Sequence, residues 1–254
     1  MLYLIFWVIM SGLLFAVPQF DLGPNAASYY SNLMQSISAL SGAILCWRTM
    51  AICERSDPMY LVWLFIGAGV FSWCMGQSLY TGYVILNNGA ELPYPSVADI
   101  GYLLIQPFIV IALLIFIRAI AVPPPIWGMA LSIALFIIAL AISVQLLYPN
   151  LLEASSSIVS LVVIMYMSFD PILLAVTVLT ASLMAGGQLA YPWWFCLGGL
   201  MLYYLSNVIF HFQLAQNLYI SGSWVDLGWI LSFVLIGIAA MLVYDMLNIV
   251  EEEY

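Results

Sequence analysis

The chain contains no lysine. That absence alone excludes a retinal Schiff base, a lysine nucleophile and a phosphate-binding P-loop. Charge of either sign is scarce. Three arginines stand against 12 acidic residues, for a formal net charge of −9, and charged residues make up only 6% of 254. A soluble domain carries about 25%, so a water-soluble globule is excluded. Nucleic-acid binding requires a basic surface, which this composition cannot supply, and there is no polybasic patch for anionic lipid headgroups. A single histidine, His211, rules out bis-histidine haem within one chain. The four cysteines, Cys46, Cys53, Cys74 and Cys196, form no C-x-x-C pair and read as reduced packing residues. H-E-x-x-H, G-x-S-x-G and glycine-rich phosphate loops are all missing. The expectation is a non-enzymatic protein with no metal and no cofactor.

What is present is apolar sequence, 66% of the chain. A bilayer core about 30 Å thick takes about 20 helical residues. On that ruler the fold class is all-α, a single polytopic membrane domain over residues 1–254 with eight spans. The first four fall near 2–17, 29–52, 59–80 and 97–117, and the last four near 126–147, 157–184, 193–212 and 224–249. Pro149-Asn150 should stop the fifth span, and Asp170-Pro171 should kink the sixth near mid-membrane. The linker A-V-P-P-P-I is stiff and separates two halves. Arg48, Arg55 and Arg118 all fall on one side if the first span starts in the cytoplasm, as the positive-inside rule asks. The expected localisation is the cell membrane, multi-pass, with both termini cytoplasmic. Asp21, Glu91 and Glu153 then occupy outer loops. Arg48 should snorkel to the cytoplasmic surface.

One phrase occurs twice. Residues 96–104 read S-V-A-D-I-G-Y-L-L and residues 223–231 read S-W-V-D-L-G-W-I-L, 127 positions apart. Trp63, Gly67 and Trp73 of the third span find matches at Trp194, Gly198 and Tyr204 of the seventh, an offset of 131. These matches predict two four-helix repeats, 1–119 and 126–250. An even number of spans in each gives both the same orientation.

The repeated Asp99 and Asp226 have a plain structural role available. Each follows a serine by three positions, so each pair should form a capping box at a helix start, where the dipole favours negative charge. Gln77, Asn207 and His211 reach the same level, as do Asn32 and Gln35 on the second span. Helix-to-helix hydrogen bonding accounts for any one of them, yet their shared depth predicts that with Asp99 and Asp226 they line an outward-facing pocket. His211 is also a candidate pH-sensitive group. Asp170 is the most expensive residue in the chain. An ionised carboxylate at mid-membrane costs roughly 2.5–3.5 kcal/mol on insertion scales, so it must be protonated, paired or turned toward water. The Trp and Tyr residues at span ends read as interfacial belt anchors rather than aromatic cages.

The stretches W-L-F-I-G-A-G-V-F-S-W-C-M-G-Q-S-L-Y, P-Y-P-S-V-A-D-I-G-Y-L-L and S-W-V-D-L-G-W-I-L-S-F-V-L-I-G-I-A-A resemble the eight-helix N-terminal membrane regions of prokaryotic signalling proteins. In those proteins the membrane region precedes a GGDEF (diguanylate cyclase) or histidine-kinase output. The resemblance implies a sensory or input role with an unidentified ligand, and it carries over no binding residues. The final helix continues into an output domain in those proteins, whereas here it reaches Glu251-Glu252-Glu253-Tyr254. Output would then come from a longer reading frame or from a cytoplasmic signalling partner. The other expected partners are the lipid bilayer and a second copy in a homodimer. Two alternatives stand beside the sensor. One is a small transporter or channel using Asp170, and the other is a structural subunit of a membrane complex.

Overall fold

A computed structural model describes residues 2–252 apart from 21, 91 and 186–189. Asp21, Glu91, Glu253 and Tyr254, named above, lie outside the described residues. The described chain folds into eight α-helices: α1 (Leu2–Ala16), α2 (Ala26–Ile52), α3 (Pro58–Leu86), α4 (Val97–Ile120), α5 (Ile126–Leu152), α6 (Ser157–Met184), α7 (Tyr191–Ala215) and α8 (Asp226–Glu252). A 3-10 turn, Val17–Gln19, follows α1, and no strand occurs among the described residues. Six helices, α3 to α8, are long and apolar enough to cross a membrane. This is a helical membrane protein. At 15 residues, α1 spans only about 22 Å. The polar residues of α2 hold down its average hydropathy, and they are turned inward: Ser31, Asn32, Gln35 and Ser38 are all buried.

Local chemistry explains where helices begin. The Asp57 carboxylate accepts from the Met59 amide at 2.8 Å, with Pro58 pre-set at the first helical position of α3. The expected stop at Pro149 is not observed, because α5 runs through it to Leu152. The proline removes one donor near the helix end, but its own carbonyl still accepts from the Glu153 amide at 3.1 Å. Helix α6 is likewise continuous across Asp170-Pro171. All four cysteines are free, three of them buried.

Packing is tightest where glycines admit a neighbouring backbone. A Cβ on Gly101 of α4 would lie 2.5 Å from the Ser72 carbonyl of α3, and one on Gly69 would meet the Ile105 carbonyl, Phe108 and Ile109. Between α7 and α8, a Cβ on Gly199 would meet the Ser232 carbonyl, Leu235 and Ile236, and one on Gly228 would meet Ser206. The contacts of Gly69 and Gly199 therefore match at an offset of 130 in α3 and α7 and 127 in α4 and α8. The register of 131 read from Gly67 and Gly198 does not describe the packing. Gly67 faces the Trp47 ring, and a Cβ on Gly198 would touch nothing.

Helix α4 packs on α6, and α8 packs on α2. Rings join the two sides of the bundle. Trp63 stacks on Trp193 at 5.4 Å between centroids, and Trp73 meets Phe233 at 4.6 Å. Trp7 of α1 seats on Ile230 and Val234 of α8. The Arg48 side chain is exposed, and its guanidinium lies 4.1 Å from the centroid of the Tyr244 ring of α8.

Candidate functional site

Asp99 behaves as the sequence predicts. It is the third residue of α4 in a capping box, with the Ser96 side chain accepting from the Ala98 amide at 3.2 Å. Its Oδ2 accepts from the Ser96 amide at 2.6 Å. The remaining oxygen, Oδ1, reaches across the bundle and accepts from the Tyr166 hydroxyl of α6 at 2.8 Å.

Asp226 departs from prediction. It is the first residue of α8 rather than the third, and the buried Ser223 hydroxyl has no partner, so the expected capping box is absent. The carboxylate bonds the Gly222 amide (2.8 Å) instead of the Ser223 amide, and it also accepts from the Tyr219 (2.9 Å) and Ser31 (2.6 Å) hydroxyls. Gly222 has φ +92°, a left-handed conformation that only glycine adopts without strain. It turns its N–H onto the carboxylate. Burial, and then the charge of Asp226, hold the Tyr219 phenol well above the ordinary range for tyrosine.

The amide side chains form two matching relays. Gln77 Nε2 donates to Asn32 Oδ1 at 3.0 Å, and Gln77 Oε1 accepts from the Tyr102 hydroxyl at 2.7 Å. Asn207 Nδ2 donates to both oxygens of Asp170 at 3.1 Å, and Asn207 Oδ1 accepts from the Trp229 indole at 2.8 Å. Tyr102 and Trp229 are the aromatic positions of the twice-occurring phrase. Asp170 is 3% exposed and takes a further bond from Gln106 Nε2 at 3.0 Å. Gln106 Oε1 is buried without a partner.

Asn32, Gln77, Asp99, Tyr102, Tyr166, Asn207, Tyr219 and Trp229 among these groups line a cavity of about 300 Å³. It lies at the end of the bundle where α2, α4, α6 and α8 begin and α3, α5 and α7 finish. Of the eight residues predicted from sequence, Asn32, Gln35, Gln77, Asp99, Asn207 and His211 line it. Asp226 and Asp170 do not. Asp226 is fully buried beneath Tyr219, and Asp170 stands one hydrogen bond behind Asn207. Nδ1 of His211 is buried and unpartnered.

Many aromatic side chains face this site, while Trp127, Trp194 and Trp224 near helix starts stay exposed. Trp73, Tyr80, Tyr102, Tyr166, Tyr203, Phe210, Tyr219 and Trp229 all line the cavity. Neighbouring rings form a chain: Tyr102 to Trp73 (5.6 Å between centroids), Trp73 to Trp229 (6.5 Å), Trp229 to Phe210 (5.5 Å), Phe210 to His211 (5.3 Å) and His211 to Tyr166 (6.0 Å). The Tyr166 hydroxyl on Asp99, one turn from Tyr102, closes the circuit. The repeated phrase offered a signal for Tyr102 and Trp229. For Tyr166, Tyr203 and Gln106 no local pattern did.

Among the described residues no cluster of three or more His, Cys, Asp or Glu could hold a metal ion. Comparison with family models, with curated proteins and with solved structures finds no match. The site is therefore read from its own geometry.

Proposed function

We propose that this chain is a non-enzymatic membrane sensory or input module that binds a small ligand in the cavity and signals to a cytoplasmic output. In this reading all eight helices cross the membrane as two similarly oriented repeats, 1–119 and 126–250. The matched contacts of Gly69 and Gly199 and the matched relays through Gln77 and Asn207 support that duplication.

One observation carries the functional reading: the cavity wall is shared between the two halves. Asn32, Gln77 and Asp99 come from the first, and Tyr166, Asn207 and Trp229 from the second. A ligand touching both sides biases their relative arrangement whenever it binds one arrangement better. Helix α8 carries the effect away from the cavity, because it begins at the wall and meets α2 through Arg48 and Tyr244 near its far end. Arg48, Arg55 and Arg118 all sit at that far end, which supports placing it, and both termini, in the cytoplasm. The resemblance to prokaryotic sensor regions agrees with this direction of signalling.

The test is thermal stabilisation of the purified protein across a broad compound panel, in wild type and in Leu214→Trp. Leu214 is at the cavity wall and 46% exposed, so a larger ring there narrows the cavity without disturbing the core. A ligand should stabilise wild type and lose its effect in the variant. Stabilisation of equal size in both would remove the cavity from the mechanism.

A second reading, transport, has one observation in its favour: Asn207 both lines the cavity and bonds Asp170. It predicts a substrate flux in proteoliposomes that Asp170→Asn abolishes. Flux indifferent to that change would dismiss it.

A further inference from the structure

The charge around the cavity is unbalanced. Every recorded donor to the three carboxylates at or behind its wall is neutral: Ser96 and Tyr166 for Asp99, Ser31, Tyr219 and Gly222 for Asp226, and Gln106 and Asn207 for Asp170. Such donors solvate a carboxylate without cancelling its charge. No lysine exists, and no arginine lines the cavity. Arg118 is 19 residues beyond Asp99 on the same helix, or about 28 Å along its axis, too far to pair with it. Low-dielectric walls of one sign concentrate that field within the cavity.

The second half of the recognition is the circuit of rings. Tyr102, Trp73, Trp229, Phe210, His211 and Tyr166 follow one another at centroid spacings of 5.3 to 6.5 Å, with Asp99 closing the loop. A cation within about 6 Å of an indole or phenol face is attracted by the ring quadrupole, most strongly when it has shed its water. A small hard metal ion favours several carboxylate ligands, and among the described residues no three His, Cys, Asp or Glu side chains converge. An anion would find amide and hydroxyl donors but no cationic side chain, and would stand beside the Asp99 carboxylate. A cation with an apolar body satisfies both features of the wall.

The geometry points to an organic cation, an amine or quaternary ammonium compound, as the ligand of this cavity, held by the Asp99 carboxylate and by the faces of Trp73 and Trp229. This assignment rests on the reading of the cavity as a ligand site. The amides of Asn32, Gln35 and Gln77 also line the cavity.

The experiment compares two cations with uncharged isosteres on the full chain in an uncharged maltoside detergent. Choline is set against 3,3-dimethylbutan-1-ol, and phenethylamine against 2-phenylethanol, with affinities from calorimetry. At least one cation should bind about tenfold or more tighter than its isostere. Asp99→Asn and Trp229→Leu should each weaken the cation about tenfold and leave the isostere little changed. The tryptophan variant leaves the α4 cap intact, so it decides the matter if Asp99→Asn fails to fold. Isosteres that match their cations, or hits from a broad panel confined to neutral or anionic compounds and blocked by Leu214→Trp, overturn the cation assignment and leave the cavity reading standing. No hit of any charge overturns both.

Discussion

Asn207 joins the cavity to the buried carboxylate, and replacing it with leucine tests the whole relay. The side chain is 8% exposed and makes three bonds: two donated to Asp170 at 3.1 Å and one accepted from Trp229 at 2.8 Å. Leucine is similar in size, so the change removes hydrogen bonds with little loss of volume. Bonds to a charged group contribute about 1.5–3 kcal/mol. The stranded Trp229 N–H adds about 1 kcal/mol, consistent with the roughly 0.6 kcal/mol average measured for neutral pairs between membrane helices. Asn207→Leu should therefore cost about 3 kcal/mol. Asp170→Asn alone should cost under about 1 kcal/mol, because Gln106 Oε1 is unpartnered and a turn of that amide offers the new N–H an acceptor. Once Asp170 is neutral, losing Asn207 matters less, so the double variant should recover about 1.5 kcal/mol relative to the sum of the two single changes. Unfolding of the purified protein by SDS, followed by circular dichroism and tryptophan fluorescence, measures all four states of the cycle. An Asn207→Leu cost under about 1 kcal/mol, or strict additivity in the double variant, would refute the relay.

Gly101→Ala should destabilise by about 2 kcal/mol or more, since its Cβ would press on the Ser72 carbonyl and the Gly76 amide, both backbone. Gly82→Ala, with nothing within 4 Å, should gain up to about 1 kcal/mol from helix propensity. The same unfolding assay reads both. Tyr166→Phe should lose about 1.5 kcal/mol, because it removes the hydroxyl bonded to Asp99 and keeps the ring. Tyr219 gives a pH dependence. Its phenol pKa is raised in the folded protein, so the folded state holds the proton more tightly than the unfolded chain. The stabilisation is full below the unfolded value of about 10 and fades as pH rises above it. Stability measured against pH should fall less steeply above pH 10 in Tyr219→Phe than in wild type.

Helix positions were legible in the sequence from the lengths of the apolar runs. Residues 157–184 were expected as a span and coincide with α6. Pro149 misled because a proline in a final turn costs only one bond. The depth of the polar groups was legible as well, and it brought Asn32, Gln35, Gln77, Asp99, Asn207 and His211 to one wall. Their partners were not legible. Asp226 breaks the analogy with Asp99 because Gly222 adopts a positive φ and captures its carboxylate first, a backbone event invisible in the Ser-x-x-Asp spacing. The aromatic lining was not legible for a related reason. Trp73 stands mid-helix in α3 and Trp229 in the first turn of α8, and only the side on which each helix is packed distinguishes a ring facing lipid from one facing a cavity.

Helix α2 decides how many helices belong in the bilayer. Its average composition is too polar to mark it as a crossing segment, yet 27 residues measure about 40 Å, more than the hydrocarbon thickness of about 30 Å. It packs along α3 on one side and α8 on the other, and both are crossing segments by length and composition. A helix laid along two crossing helices shares their environment. Its polar stripe faces inward, where Ser31 bonds Asp226 and Asn32 bonds Gln77, while Leu33, Ile37, Leu40 and Ile44 are exposed along its outer face and Arg48 and Ala51 near its C-terminal end. The outer face is apolar as far as Arg48 and suited to lipid, and the buried set satisfies its own hydrogen bonds. Average hydropathy mixes the two faces, and on this ground we propose α2 as a further crossing helix whose polarity is spent inside the protein. The same inward stripe brings Asn32 and Gln35 to the cavity, so the helix proposed as a further crossing segment is also a wall of the site.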